Sequence, residues 1–388
     1  MTIITDSGEL AKFCKILQEK EFITIDTEFL REKTYFARLC LIQISCPDKN
    51  AIAIDPLAEN IDLSPLFDLL QNPDVLKVFH AGRQDLEIFY QLTGKVVTPI
   101  FDTQIAAMVC GFGESIGYEK LVNHVTGNSI DKSSQFTDWS LRPLSDKQIT
   151  YALGDVTHLC DIYLYLKNDL EQRGRCDWVK QEKAILENPK TYSTDPYKAW
   201  ERVKIRSPKP RTLAVLREVT AWRETLAQKR NVPKNWIMRD ETLADMANQA
   251  PKDKKQLSKI RNLGKDIVDG KGGVQLLKAI EKGVSSPSDT WPKVAKKQQP
   301  PPHIIATIDV LKMLLKIQNC EHHVAAKIIS SAADLEAIAY DDNADVPALQ
   351  GWRREIFGQD ALDLKHGKLA IGIKNGKITK FPVGDTQA

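Results

Sequence analysis

No stretch of this 388-residue chain approaches the roughly 20 consecutive apolar residues of a membrane-spanning helix. The N-terminal MTIITDSGELAKF also lacks a basic segment leading into an apolar run, so a cytoplasmic protein is expected. Its cysteines are few and scattered: Cys14, Cys40, Cys46, Cys110, Cys160, Cys176 and Cys320 form no CxxC pair and are odd in number. That pattern excludes a disulfide scaffold and gives no start for a zinc site, leaving reduced thiols as the simple reading. Low-complexity tracts are confined to one short stretch. Apolar residues at 42% and charged residues at 27% are ordinary for globular chains, which excludes long disorder or a collagen-like repeat.

What is present begins with length. The chain exceeds what one hydrophobic core usually organises, so two or three domains are expected. The net charge of +3 hides a partition of about −8 over residues 1–199, +12 over 200–300 and −1 over 301–388. An acidic front joined to a basic middle suits a protein that holds cations in one place and polyanions in another.

The first half alternates β-branched runs (FITIDTEF, LCLIQIS, AIAID, VLKVF) with helical patterns near 63–70 and 83–91. This predicts an α/β domain with a mixed sheet, since early strands lie close together as hairpins do and later ones are separated by helices. From Pro208 the β runs vanish, and LAVLREVTAWRETLA, ETLADMANQA and GVQLLKAIEKG show helical periodicity. The expected division is an α/β domain over 1–200, a small helical domain over 206–285, a Pro- and Lys-rich linker over 286–302, and a second helical domain over 303–388. The last is expected to close on a hairpin turned at Asn375-Gly376.

In ITIDTEF the strand period of two puts Asp26 and Glu28 on one face, opposite Ile23, Ile25 and Thr27. Two acids in an otherwise apolar sheet are costly without a compensating cation, although a lone DxE pair is also what a solvated strand end looks like. Asp85 falls about one turn inside a helix after FHAGRQ, where a capping or surface acid is the plain alternative. The segment RPLSDKQITYALGDVTHL starts a helix with a capping-box pattern at Ser145 and Gln148. Tyr151 and Asp155 then share a face at i, i+4, where a tyrosine is more often a core aromatic. His80, His124 and His158 are nearby polar groups for which a structural hydrogen bond is the simpler role.

Together these pieces resemble the DEDD exonuclease superfamily in its tyrosine-bearing branch, and within it the ribonuclease D family. The contexts DTEFLREKTYFARLCLIQIS, FHAGRQDLEIF and TDWSLRPLSDKQITYALGDVTHL carry the likeness over residues 1–195. The resemblance implies a ribonuclease-H-like fold and 3′-5′ exoribonuclease activity on RNA such as transfer RNA precursors and other small RNAs. It implies Asp26, Glu28, Asp85 and Asp155 as ligands of two divalent ions, Mg2+ or Mn2+, with Tyr151 beside the attacking water. Such hard cations prefer a few carboxylates plus water and phosphate oxygens. An unperturbed phenol has a pKa of about 10, which neighbouring cations would lower. Phe36 would stack on terminal nucleotides or else pack into the core.

Residues 210–283, with WRETLAQKRNVP and DETLADMA, resemble the helicase and ribonuclease D C-terminal (HRDC) domain, and a weaker copy is expected over about 303–380. Lys252, Lys254, Lys255, Lys259, Arg261 and Lys265 would then form a phosphate-binding face, or else a solvated helical surface. A DNA exonuclease with the same site and a catalytically silent RNA-binding scaffold remain the competing readings. No obligate protein partner is evident and a monomer is expected.

Overall fold

The computed structural model describes residues 3–293 and 300–383; part of the expected linker, at 294–299, and the last five positions of the chain lie outside the described residues. The strands are β1 (Ile3–Ile4), β2 (Phe22–Leu30), β3 (Arg38–Ser45), β4 (Ile52–Ile54), β5 (Leu76–Phe79) and β6 (Ile100–Asp102). They form one sheet in the order β1-β4-β3-β2-β5-β6. β2, β3 and β4 run antiparallel in sequence, whereas β5 and β6 join β2 in parallel, so the sheet is mixed as expected. The reason lies in the connections: short loops link β2 to β3 and β3 to β4, while α2 (Ser64–Gln71) and α3 (Arg83–Thr93) fill the crossovers around β5.

α1 (Ser7–Leu17) and α2 cover one face, on which Leu10, Phe13, Leu17, Leu66 and Leu69 bury against Ile23, Ile25, Ile42 and Ile44. The other face meets α4 (Thr103–Val109), α5 (Tyr118–Thr126) and the 27-residue α6 (Asp146–Gln172). α6 starts at a reciprocal capping box between Ser145 and Gln148, as the sequence predicts, and lies along β2 and β3. The Thr24 hydroxyl donates to the Val156 carbonyl at 2.8 Å, which locks α6 to the strand that carries the acids. α7 (Lys180–Leu186) follows.

The remainder is helical. α8 (Pro210–Arg230), α9 (Lys234–Ile237), α10 (Asp240–Gln249), α11 (Lys254–Leu257), α12 (Lys265–Asp269) and α13 (Lys271–Ser285) enclose their own core around Leu216, Val219, Leu243, Met246, Leu257 and Leu276. α14 (Pro302–His322), α15 (Ala326–Ile329) and α16 (Ala332–Tyr340) then repeat the start of that set. α8 and α14 are both 21 residues long, both begin on proline, and both end at a left-handed cap, Asn231 and His323. α15 and α16 follow α14 at the same spacing as α9 and α10 follow α8. β7 (Leu369–Lys374) and β8 (Lys377–Pro382) close the chain through Asn375 and Gly376, both at positive φ as a tight hairpin turn needs.

The two helical units differ in how they are anchored. Buried residues of α14 to α16, with Phe357 and Trp352, belong to the same apolar cluster as Ala106, Leu121, Leu159 and Leu166 of the sheet domain. At this junction Arg175, Trp178, Trp352 and Arg353 form a layered stack. The indoles are parallel with centroids 4.2 Å apart, and the guanidinium carbons lie 4.6 and 4.5 Å from the Trp178 and Trp352 rings respectively. Arg353 also donates to Ile328 O within its own unit and to Glu182 across the junction. Trp352→Ala should therefore destabilise the whole chain by about 3 kcal/mol, the usual cost of emptying a large buried aromatic. Urea unfolding monitored by circular dichroism measures this, and a change below about 0.5 kcal/mol, the scale of an ordinary surface substitution, would show the stack to be superficial.

Candidate active site

The pleat of β2 turns Asp26 and Glu28 toward α6, opposite Gln43 and Leu41 of β3, just before a bulge between Glu28 and Phe29. Asp155 lies one turn after Tyr151 on α6, and oxygen atoms from Asp26, Glu28 and Asp155 all lie within 4.8 Å of one another. Asp85 stands outside that trio but raises the Asp26 and Glu28 carboxyls through its charge, so all four acids share one electrostatic neighbourhood.

Asp85 is placed by its own supports. Gly82 begins α3, and a β-carbon there would lie 2.5 Å from Phe79 Cβ, so only glycine lets the helix start this close to β5. Asp102 caps α4 through the Gln104 and Ile105 amides and accepts from Ala81 N at 3.2 Å and Gly82 N at 3.0 Å, which fixes the turn into α3. The buried Asp85 carboxylate accepts from the Thr27 hydroxyl. Thr27 was expected merely to oppose the acids on the strand; its side chain instead orients one of them. Thr27→Val keeps the shape and removes that donor, and should weaken divalent-ion affinity about tenfold, the lower range for losing a group that orients a ligand. Calorimetric titration with Mn2+ checks this, and unchanged affinity would make the bond incidental.

The Tyr151 phenol and the Asp155 carboxyl are close enough for each to shift the other's pKa, the phenol up and the carboxyl down. The Tyr151 ring stands 6.2 Å from that of Trp139, which is buried with Cys40, Leu41 and Ala53. Arg142 holds this corner together, donating to both oxygens of Asp55 at 2.6 Å, to Cys40 O at 2.7 Å and to Trp139 O at 2.8 Å. The DW and RPL residues are therefore the scaffold beneath Tyr151. The Tyr118 hydroxyl donates to the Asp155 carbonyl, and its ring lies 5.2 Å from His80. His80 is bonded to Thr103 at 2.9 Å, and burial lowers it to about 4, so it is neutral at physiological pH and structural. Sequence reasoning missed Thr27, Tyr118, Trp139 and Arg142 as parts of the site.

Burial is the largest cause of elevation in each acid. It pushes Glu28 up to about 9, Asp155 to about 7 and Asp85 to about 6, and holds Asp26 well above the usual carboxylate range. Among the described residues no lysine, arginine or histidine forms an ion pair with any of the four. Desolvated acids with mutual repulsion and no cationic side chain bound to them fit divalent cations, which supply the missing charge. Because these folded-state values lie above those of unfolded carboxylates, near about 4, the metal-free folded protein binds more protons than the unfolded chain. Its stability from these groups is complete below that value and is lost as pH rises through about 6, 7 and 9. The melting temperature in EDTA should fall across that window and Mg2+ should flatten the fall; a rise with pH in EDTA would contradict the assignment.

The 3′-5′ exonuclease family matches residues 1–171, and the HRDC domain family matches residues 212–280. Ribonuclease D of Nitrobacter hamburgensis is 47% identical over 98% of this chain and 99% of its own length. The chain belongs to the ribonuclease D family. Ribonuclease D of Bartonella henselae is 46% identical over 97% of this chain and 93% of its own. The crystal structure of Escherichia coli RNase D, an exoribonuclease involved in structured RNA processing, superposes with a TM-score of 0.81 at 29% identity, covering 94% of this chain and 98% of that one. The ribonuclease-H-like exonuclease domain with a helical HRDC domain is thus the family architecture, and the chain is a nuclease.

The expected RNA-contacting residues are dispersed. Phe36 lies half-buried in the β2–β3 loop, its ring 4.9 Å from Tyr35 and its amide donating to Asn231 at the end of α8. Tyr35 in turn donates to Glu224 at 2.8 Å, so this loop docks the first helical domain. Lys252, Lys254, Lys255, Lys259, Arg261 and Lys265 are all exposed around α11 and α12. Lys254 is already paired with Asp269 at 2.9 Å.

Proposed function

We propose that this protein removes nucleotides from the 3′ ends of RNA, releasing nucleoside 5′-monophosphates with two divalent ions, Mg2+ or Mn2+, held by Asp26, Glu28, Asp85 and Asp155. The observation that carries this reading is the convergence of three acids within 4.8 Å, with Tyr151 one turn from Asp155 on α6 and Asp85 adjoining. The ions would supply Lewis-acid charge at the scissile phosphate and the leaving oxygen. In the reaction a water oxygen bonds to phosphorus, the P–O3′ bond breaks, and the 3′ oxygen of the shortened strand takes a proton.

This chain's own groups orient those partners. In the metal-free protein, burial and the neighbouring carboxylates hold the Tyr151 phenol well above its usual pKa. A protonated phenol can accept a hydrogen bond from the attacking water, which would fix the line of attack. Asp155 is itself steadied from behind by the Tyr118 hydroxyl on its carbonyl.

The domain reading that goes with this function divides the chain at 1–200, 206–285, 286–302 and 303–388, with the last part a second HRDC-like unit. The repeated helix order of α8 to α10 and α14 to α16 supports it. Lys254, Lys255, Lys259 and Arg261 are proposed to contact RNA phosphates as a group, supported by their exposure and the positive charge of the middle region. Phe36 is proposed as a substrate contact at the edge of that domain. Transfer RNA precursors and other small RNAs with free 3′ ends are the proposed substrates, in keeping with the structured RNA of the Escherichia coli relative. A monomer acting in the cytoplasm completes the proposal; no helix among the described residues is long and apolar enough to cross a membrane. Matched single-stranded RNA and DNA of one sequence test the substrate class. RNA is expected to be trimmed faster, and DNA trimmed equally well would overturn the ribose preference.

A further inference from the structure

We propose that Phe136 is a stacking platform for a nucleobase at the 3′ end of the bound strand. The inference rests on the hydrolysis of RNA proposed above and deepens it by naming a group that grips the substrate. Phe136 is 92% exposed, more than any other large apolar side chain described. A single exposed phenyl on an ordinary surface would mean little. This one stands on a braced loop beside the catalytic helix, and the bracing gives it direction.

Ser134 is buried, the Thr137 hydroxyl donates to Ser134 O at 2.8 Å, and the same hydroxyl accepts from Gln148 Nε2 at 3.1 Å. Gln148 belongs to the capping box that starts α6, one turn before Tyr151. On the far side of Phe136, Trp139 is buried next to the Tyr151 ring. The loop is therefore tied to the Tyr151 turn just after Phe136, through Thr137 and Trp139, which fixes the backbone that carries the exposed ring.

An RNA end seated at Asp26, Glu28 and Asp155 would lie beside the turn to which this loop is tied, and its bases are flat apolar surfaces that would cover the phenyl. Base–aromatic stacking contributes about 1–3 kcal/mol per base and is indifferent to base identity, as successive removal of different nucleotides requires. A protein partner on the same ring would not depend on the strand at all, which the following experiment separates.

The probe is an unstructured RNA decamer carrying 2-aminopurine as its 3′-terminal base, bound in Ca2+ in place of Mg2+ to hold the strand uncut, with trimming in Mg2+ measured in parallel. Wild-type protein is expected to quench the 2-aminopurine fluorescence. Phe136→Ala should abolish most of that quenching and weaken binding about tenfold. Phe136→Trp should restore both, since indole presents a larger stacking face. An alanine variant that quenches and binds like wild type overturns the inference, and so does a loss that tryptophan leaves uncorrected. If wild type trims the RNA while the alanine variant is unaltered, only this inference fails. If wild type neither binds nor trims the RNA, the proposed function fails with it.

Discussion

Tyr151→Phe is expected to slow single-turnover hydrolysis by about 10² or more, the lower scale for losing a positioned acid-base group. Removing one hydroxyl leaves the carboxylates and nearly all the volume of the side chain in place, and the ring keeps its packing near Trp139. Folding and RNA affinity should therefore stay near wild type. Saturating protein and Mg2+ isolate the chemical step from binding and product release. A phenylalanine variant as fast as wild type would return Tyr151 to the role of a packed aromatic, and orientation of the water would have to come from elsewhere in the site.

The second large effect concerns the acids. Asp26→Asn and Asp155→Asn should each lower hydrolysis by about 10³ or more, because several kcal/mol of charge stabilisation at the transition state would depend on the cations proposed to bind there. The same substitutions should raise the melting temperature in EDTA at pH 8, since Asp26 is pushed up by burial and then by Asp85, Asp155 and Glu28. Activity falls while metal-free stability rises, a pairing that misfolding cannot produce. Variants that lose activity and also melt lower in EDTA would show these acids to be ordinary structural residues.

How much of this was legible in sequence follows from the range of each interaction. Asp26 with Glu28, and Tyr151 with Asp155, declare a shared face because strand and helix periods are local rules. The mixed sheet followed from the spacing of strands and helices. Asp85 was found as a helical acid, but its Thr27 support was not, since that contact joins residues 58 positions apart. Arg142 reaches Asp55 across 87 positions, and Tyr118 reaches Asp155 across 37. No periodicity encodes such pairings; the DW and RPL motifs marked the place without revealing that it is the floor under Tyr151.

The helical half shows the same boundary. Periodicity identifies the helices of both units, yet it does not say which apolar face meets which neighbour. α14 to α16 bury theirs with the exonuclease domain, whereas α8 to α13 keep a core of their own and dock through Tyr35 and Asn231. Phe36 illustrates the limit at a single residue: its ring packs against Tyr35 while its amide donates to Asn231 of the next domain, a contact that no local pattern encodes. Phe136 drew no notice in the sequence because one phenylalanine in a polar loop has no pattern; its exposure on a braced rim is visible only in three dimensions.

The central claim is that the buried Asp85 and Asp155 and the half-buried Asp26 and Glu28 hold cations that drive hydrolysis from a free 3′ end. The direct measurement is a time course on a 5′-labelled, unstructured RNA, with a free or blocked 3′ hydroxyl, in Mg2+ or in excess EDTA. A ladder shortening one nucleotide at a time, present only with Mg2+ and a free 3′ end, is the predicted result. Full hydrolysis in excess EDTA, or internal cuts in the blocked strand, would contradict it.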